Sequence, residues 1–245
     1  MLVIAHRGSS GAAPENTLAA FRRAVREGAD MIELDVRLSA EGEPVVFHDR
    51  RLERVTGLRG RMRERTAAEL EKTPVRGPSG RLHASACIPR LAAVLRGVPR
   101  GTGLNIEVKT DGDRRRSGVM VNRLGKLLRA SARKRNLLVS SFDHAFLRKL
   151  RGRQPAIALG ALYAAARDRG RSPVRLARRC GATAFICSHA QLQARWVPML
   201  HAVNIALLVY GVDHPRQMLS LQRRGVDGII TNFPARLCRA LSLHP

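Results

Sequence analysis

The sequence predicts an α/β fold, namely a single parallel TIM (β/α)₈ barrel with a small insertion after the third strand-like motif. Three observations lead to this prediction. Short apolar runs alternate with helix-length segments along the whole chain. The alternation gives roughly eight strands in 245 residues, which suits one barrel. No GxGxxG or GxxxxGK[ST] loop follows any predicted strand, which weakens the alternative, an open doubly wound sheet.

The first third of the chain begins the alternation. Leu2–Ala5 is a short apolar run, and 14–28 is a helical pattern that begins at a proline and ends at a glycine. Further strands are predicted at 31–36 and 44–47. Residues 50–88 are rich in Arg, Gly and Pro and show little periodicity. We therefore predict one domain over 1–245, interrupted by an insertion at about 50–88.

The remaining two thirds repeat the unit with little interruption. A short helix at 90–95 precedes a strand at 104–108, and a long basic helix is predicted at about 114–135. Apolar runs then predict strands at 137–140, 156–162, 182–187, 205–209 and 228–231. Apolar positions at helical spacing predict a helix after each of these strands, at 145–150, 174–180, 192–200, 215–224 and 235–243.

Charge is the most unusual feature of the composition. The chain carries a formal net charge of +25, with 44 Lys+Arg against 19 Asp+Glu. Nearly all of this excess lies in residues 114–245, where arginines on outer helix faces are the simplest explanation. Aromatic residues are only 4% of the chain, and single-stranded nucleic-acid binders interleave aromatics with basic residues. We predict no obligate nucleic-acid partner, and we leave open a weak attraction to anionic lipid surfaces.

Composition also bears on the compartment. No run of about 18 uncharged apolar residues is present, and the first apolar run lacks a basic segment before it. We therefore expect a cytoplasmic protein. Four cysteines, with no CxxC pair, are expected to be free thiols in a reducing compartment.

Carboxylates cluster near predicted strand ends. Glu33 and Asp35 lie two apart on one strand and so share a face, and Glu107 lies near the end of the strand at 104–108. Three carboxylates converging in a barrel mouth would repel one another without a cation. Oxygen ligands suit one hard divalent cation, Mg²⁺ or Ca²⁺. The alternative is that each carboxylate pairs separately with an arginine.

Two histidines and two cations complete the candidate site. His6 and His48 each follow an apolar run directly, and one could act as general acid while the other acts as general base. Arg7 and Lys109 supply positive charge for an anionic group, most simply a phosphate. Together these residues predict metal-assisted phosphoryl transfer.

In combination, these motifs resemble the glycerophosphodiester phosphodiesterase family, and the resemblance covers essentially the whole chain in order. The matching segments are 6–8, 14–17, 28–36, 45–49, 88–91, 105–109, 140–142 and 225–234.

The resemblance implies a TIM barrel with an insertion and hydrolysis of small-molecule glycerophosphodiesters to glycerol 3-phosphate and an alcohol. It implies that His6 and His48 are the acid and base. It also implies that Glu33, Asp35 and Glu107 hold the cation and that Arg7 and Lys109 bind phosphate. Phe142 resembles the family's aromatic residue beside the glycerol.

The chain departs from the family pattern in two places. It has Tyr210-Gly211-Val212-Asp213 where the family usually has Trp-Thr-Val-Asn, and Thr231-Asn232 where Thr-Asp is usual. We expect Tyr210 to keep an aromatic wall beside the substrate. We expect these changes to affect the leaving-group pocket and to leave the metal and histidine residues intact.

Two other functions remain open at this stage. One is a related two-histidine phospholipase, of the lysophospholipase D or phosphatidylinositol-cleaving type. The polar residues of the insertion make it the weaker choice. The other is a basic module that binds anions or nucleic acid without catalysis. Neither the head group, the preferred metal nor the oligomeric state follows from the sequence.

Overall fold

A computed structural model describes residues 1–129 and 135–242. In chain order the strands are β1 (Leu2–His6), β2 (Met31–Leu38), β3 (Pro44–Val46), β4 (Pro74–Arg76), β5 (Leu82–Cys87), β6 (Gly103–Val108), β7 (Leu137–Ser141), β8 (Ala158–Leu162), β9 (Ala184–Ser188), β10 (Ala206–Tyr210) and β11 (Gly228–Thr231).

Eight of these strands form a closed parallel barrel. Neighbours pair in the order β1-β2-β6-β7-β8-β9-β10-β11, and β1 also pairs with β11. Ile4 lies opposite Met31 on one side and Ile230 on the other. The predicted barrel is confirmed, because the first strand closes the sheet onto the last.

The predicted third strand forms, but it is not a barrel strand. β3 runs antiparallel to β2, with Val46 opposite Val36 and Pro44 opposite Leu38. β2 continues past the barrel mouth, and β3 runs back alongside this continuation towards the mouth. His48 therefore approaches the mouth from a descending chain, whereas the sequence pattern had suggested the end of a parallel strand.

The helices are α1 (Leu18–Arg26), α2 (Glu53–Thr56), α3 (Ala67–Leu70), α4 (Leu91–Gly97), α5 (Arg114–Arg129), α6 (His144–Arg153), α7 (Ala165–Asp168), α8 (Pro173–Cys180), α9 (Trp196–His201), α10 (Pro215–Arg223) and α11 (Pro234–Ser242). None of these helices is both long enough and apolar enough to cross a membrane, among the residues described. The predicted continuation of the basic helix over 130–134 lies outside the described residues, as does the predicted residue 243 of the last helix.

Two predicted helices begin later than expected. α1 was predicted from Pro14, but Asn16 has a left-handed backbone (φ 58°), so the helix can begin only after it. Thr17 then caps α1 by accepting from the amide of Ala20. α9 was predicted from residue 192 and begins at Trp196, because a 3₁₀ turn occupies 189–191 just upstream.

The insertion contains short elements that a periodicity analysis misses. α2, α3 and the hairpin β4–β5 lie within 50–88 and are three to six residues long. Leu52, Met62 and Leu70 are buried in a small apolar cluster of their own, which Phe47 and Ile88 join. Helices and strands of this length are too short for a hydrophobic period to be recognised in the sequence.

Alternation along β2 determines what reaches the barrel mouth. Ile32 and Leu34 face outward into the core between strands and helices. Met31 faces inward, where it packs with apolar residues of other barrel strands. Glu33 and Asp35 continue the inward face towards the carboxyl end of the strand. The barrel interior is thus apolar at its base and charged at its mouth.

Candidate active site

Three carboxylates meet at the mouth of the barrel. Glu33 and Asp35 extend from β2, and Glu107 extends from the neighbouring β6, where it lies directly opposite Asp35. One oxygen of each lies within 4.8 Å of the others. Their exposed fractions are 2%, 1% and 9%, so the cluster is almost completely removed from water.

Two cations lie against this cluster. Lys109 contacts Glu107 and has its Nζ 3.1 Å from Oδ1 of Asp35. Arg7 has its Nε 3.1 Å from the other Asp35 oxygen and donates from Nη1 to Glu15 at 2.9 Å. The positions predicted to bind phosphate therefore flank the positions predicted to hold a metal.

The backbone of Arg7 is held in an unusual conformation. Its φ is 54°, in the left-handed region that side chains with a Cβ rarely adopt. Its amide donates to Oε2 of Glu33 at 3.0 Å, and its carbonyl accepts from the amide of Asn16 at 3.0 Å. Asn16 also exchanges two hydrogen bonds with Asp35. The 14–17 turn thus positions both a cation and a carboxylate of the site.

Burial and mutual repulsion change the acidity of the carboxylates. Burial, followed by the charge of Asp35, raises the pKa of Glu33 to about 8 and the pKa of Glu107 to about 7. Burial opposes ionisation of Asp35 as well, but Lys109 and then Arg7 outweigh it and hold the pKa of Asp35 well below its usual range. Asp35 is therefore the carboxylate of the cluster whose ionised form is most favoured.

The cluster has the properties of a site for a hard cation. Oε1 of Glu33 and Oδ1 of Asp35 are buried without a hydrogen-bond partner. Lys109 lies close to Oδ1 of Asp35, but the contact lacks hydrogen-bond geometry. Buried oxygens of this kind are costly unless something binds them. An all-oxygen set fits Mg²⁺ or Ca²⁺, so the residues present fit the predicted cofactor.

His6 lies at the end of β1 and is held from the opposite end of the chain. Its Nδ1 is 2.8 Å from Oδ1 of Asn232, whose amide nitrogen donates to Asp213 at 2.6 Å. Asp213 also accepts from the backbone amide of Asn232. Because the amide group donates to Asp213, its oxygen accepts from His6, and Nδ1 carries the proton. Burial, followed by the charge of Arg7, lowers the pKa of His6.

The network at His6 uses residues from both segments that depart from the family pattern. Asp213 lies in the segment 210–213 and Asn232 in the segment 231–232, and the changes in these segments were expected to leave the metal and histidine residues intact. Asn232 contacts His6 directly, and Asp213 contacts Asn232. The departure at 231–232 was visible in the sequence, but no local pattern indicated that Asn232 would contact His6.

His48 is held by a second network that reaches into the insertion. Its Nδ1 is 2.6 Å from Asp49, which also accepts from Arg54 on α2 at 2.6 Å. Arg54 in turn donates twice to Glu15. The sequence did not single out Arg54, since an isolated arginine in a basic chain carries no signal. Both histidines therefore have Nδ1 occupied, and Nε2 is the nitrogen left for proton transfer.

A cavity of about 230 Å³ brings the predicted residues together. His6, His48, Glu33, Glu107, Arg7 and Lys109 line it, and Asp35 is buried against Arg7 and Lys109. Phe142 and Tyr210 form part of its apolar wall, with Lys109 Nζ 5.7 Å from the centre of the Phe142 ring. Burial raises the pKa of Tyr210, so its hydroxyl stays protonated. All nine sequence-predicted site residues thus meet in one place.

A parallel barrel whose mouth gathers carboxylates, paired cations and two oriented histidines defines an enzyme that acts on an anionic substrate. The model of the glycerophosphoryl diester phosphodiesterase family matches residues 6–236. The chain belongs to this family, and it is a phosphoric diester hydrolase.

Relatives and solved structures agree with this assignment. A glycerophosphodiester phosphodiesterase of Caldanaerobacter subterraneus subsp. tengcongensis is 33% identical, with 96% of each chain covered. The structure of an Oleispira antarctica phosphodiesterase in complex with the product sn-glycerol-3-phosphate has a TM-score of 0.87 at 26% identity, covering 98% of this chain and 96% of that one. A glycerophosphodiester phosphodiesterase of Thermotoga maritima has a TM-score of 0.78 at 27% identity, covering 98% of each chain.

Proposed function

We propose that this protein hydrolyses glycerophosphodiesters to glycerol 3-phosphate and an alcohol, with one divalent cation and with His6 and His48 as the general acid and base. The observation that carries the proposal is the single cavity lined by both histidines, by the carboxylate cluster and by the two cations. The relatives indicate the substrate class, because one is a glycerophosphodiester phosphodiesterase and another binds the product sn-glycerol-3-phosphate.

The carboxylates are the groups that hold the cation. Glu33, Asp35 and Glu107 present buried oxygens within 4.8 Å of one another. When bound there, Mg²⁺ or Ca²⁺ supplies Lewis-acid polarisation of a phosphoryl oxygen. Glu33 and Glu107, whose pKa values are raised, would have to give up their protons to hold the cation.

The histidines move the protons. One imidazole accepts a proton from a glycerol hydroxyl as its oxygen bonds to phosphorus, and the other donates a proton to the departing alcohol oxygen as its bond to phosphorus breaks. Water then opens the resulting cyclic phosphate to give glycerol 3-phosphate, with the two histidines in exchanged roles. Asn232 orients His6 and Asp49 orients His48, each through Nδ1. This leaves Nε2 of both rings for the exchange, as in other sites where a partner at Nδ1 selects the tautomer.

Arg7 and Lys109 bind the phosphate. Both already neutralise carboxylates in this structure, with Nε of Arg7 and Nζ of Lys109 each 3.1 Å from Asp35. Both side chains line the cavity beside the histidines. Phe142 and Tyr210 offer an apolar wall for the carbon skeleton of the glycerol.

The test is release of glycerol 3-phosphate from a panel of glycerophosphodiesters. Glycerophosphocholine, glycerophosphoethanolamine and glycerophosphoglycerol are each supplied with Mg²⁺ or Ca²⁺, and then with excess chelator. We expect turnover with the metal and its loss with the chelator. His6→Ala and His48→Ala should each reduce kcat by about 10²–10⁴-fold, the range for general acid–base catalysis.

A matched histidine tests whether the effect is specific. His83 is exposed on the insertion hairpin, away from the cavity, and His83→Ala should keep wild-type turnover. No turnover of any diester with either metal would refute the proposed function. Full activity in both histidine variants would refute the mechanism alone. Faster turnover of a lysolipid dispersion than of every soluble diester would favour a phospholipase.

A further inference from the structure

A second cavity lies beside the proposed active site and shares no lining residue with it. It has a volume of about 380 Å³. Arginines make up most of its lining, and we call it the arginine cavity. We propose that it binds a second phosphate group, attached to the alcohol part of a glycerophosphodiester. Diesters that carry this second phosphate would then be preferred substrates. The inference rests on the proposed function.

The arginine cavity is built from three separate segments of the chain. Its charged lining consists of Arg37, Arg50, Arg51, Arg61, Arg63 and Asp111. Arg37 lies on β2, Arg61 and Arg63 lie in the insertion, and Asp111 follows β6. Five guanidinium groups thus surround one carboxylate, an arrangement that concentrates positive potential in a concave space.

The single carboxylate does not neutralise this lining. Oδ1 of Asp111 accepts from Arg37 at 2.7 Å and lies 3.4 Å from Nε of Arg50. Arg51 pairs with Glu53, and Arg61 lies 4.0 Å from an exposed Glu64. Arg63 has no carboxylate within ion-pair distance among the residues described. A bound dianion would offset this excess, and guanidinium groups are the preferred partners of phosphate oxygens.

Arg37 shows that the arginine cavity is built into the fold, because a buried side chain forms part of its lining. Arg37 is only 7% exposed, and its Nε donates to the backbone carbonyl of His48 at 2.7 Å. A buried cation at the base of a cavity suits a ligand that enters it. A flat anionic surface would reach only the outer arginines, such as Arg50 and Arg51, whose side chains are 71% and 61% exposed.

Chain connectivity places the arginine cavity beside the reacting groups. Arg50 follows His48 by two residues, and Asp111 follows Lys109 by two residues. Two residues of chain span at most about 7 Å between Cα atoms. A short polyol that carries two phosphates is of comparable length. One phosphate can therefore lie with Lys109 and His48 while the other reaches the arginines.

The experiment compares two substrates that differ only in the second phosphate. Glycerophosphoglycerol is the reference, and glycerophosphoglycerol 3′-phosphate is the doubly phosphorylated partner. Each is assayed with saturating Mg²⁺ or Ca²⁺ at physiological ionic strength, where long-range attraction is screened. We expect the wild-type kcat/KM to favour the doubly phosphorylated diester by about tenfold or more, equivalent to about 1.4 kcal/mol.

The variant is Arg61→Gln with Arg63→Gln, both exposed side chains of the insertion. It should lose that preference and keep the wild-type kcat/KM for glycerophosphoglycerol. The matched control is Arg22→Gln with Arg26→Gln, which removes two exposed arginines of α1. This control has the same net charge and should keep the preference.

A binding measurement separates this inference from the proposed function. Pyrophosphate is titrated calorimetrically into metal-free wild type and both double variants. We expect affinity to fall about tenfold in the insertion variant alone. If no diester is turned over, but pyrophosphate binds to the wild type and binds more weakly to the insertion variant, the proposed function is refuted and the arginine cavity is still an anion-binding site. Equal substrate ratios and equal pyrophosphate affinities in all three proteins would overturn the inference.

A lipid surface is the competing source of phosphate. Leu58 and Leu82 in the same insertion are both 48% exposed and could enter a bilayer. Sedimentation with phosphatidylglycerol vesicles tests whether the arginines bind a lipid surface. Vesicle binding that is lost in the insertion variant, together with an unchanged preference between the two soluble diesters, would assign the arginines to a membrane and overturn the inference.

Discussion

Replacing Glu33 by glutamine should stabilise the metal-free protein at alkaline pH. Glu33 is buried beside Asp35, and these two effects raise its pKa to about 8. Glutamine has nearly the same shape and can still accept from the amide of Arg7 through its carbonyl oxygen. The substitution therefore removes the charge with little change in packing.

The sign and size follow from proton linkage. The unfolded chain releases the Glu33 proton near pH 4.5, whereas the folded protein retains it to about pH 8. Between these values the folded state binds more protons, so the free energy of unfolding falls as pH rises. At up to about 1.4 kcal/mol per pH unit, with a smaller slope near each pKa, the loss attributable to Glu33 between pH 5 and pH 8 is about 3–4 kcal/mol. Glu33→Gln should lack this loss.

Urea unfolding in chelator, followed by the fluorescence of the single tryptophan, measures this difference at pH 5, 6, 7 and 8. Glu64→Gln is the control, because that carboxylate is 60% exposed in the insertion. Addition of Mg²⁺ or Ca²⁺ should then stabilise the wild type, by about 2.7 kcal/mol at a hundred times Kd. It should stabilise Glu33→Gln much less.

Parallel pH profiles for wild type and Glu33→Gln would refute the reasoning. Such profiles would mean that Glu33 is already ionised in the folded protein without a metal. Lys109 and Arg7, the cations closest to the cluster, would then be neutralising more than one carboxylate.

Three further predictions concern single side chains. Asn232→Leu removes the acceptor at Nδ1 of His6 and should lower kcat for glycerophosphocholine about tenfold or more, with a small change in KM, in steady-state assays; an unchanged kcat would exclude a positioning role. Gly8→Ala should destabilise the protein by about 1–3 kcal/mol in urea unfolding, because φ is 79° and the new Cβ would lie 2.7 Å from the backbone of Ala20. Trp196→Ala, in a buried aromatic cluster, should cost about 3–5 kcal/mol by chemical denaturation, and a loss below 1 kcal/mol would contradict its core position.

Much of the site could be predicted because its residues follow local rules. Glu33 and Asp35 share a face through the two-residue period of a strand, and β2 confirms that both point inward with Met31. Glu107 lies opposite Asp35 because parallel neighbours bring their carboxyl ends to the same rim. These relations need only the strand assignment and the barrel.

Other features depended on contacts that no local pattern encodes. β3 has the composition of a barrel strand, yet it pairs antiparallel with the extension of β2 and delivers His48 by a descending route. The insertion supplies Arg54 to the His48 network and arginines to the second cavity. Its short elements are ordered by burial of their own apolar cluster, which periodicity does not predict.

The sequence by itself determined the alternation of strands and helices, the family, and the set of residues at the strand ends. Only the tertiary structure decided which of these residues support one another. His6 and Asn232 are separated by 226 positions and meet because β1 closes the barrel against β11. Periodicity specifies the face a side chain takes within its own element. Contacts between elements depend on closure of the sheet, which only the complete fold provides.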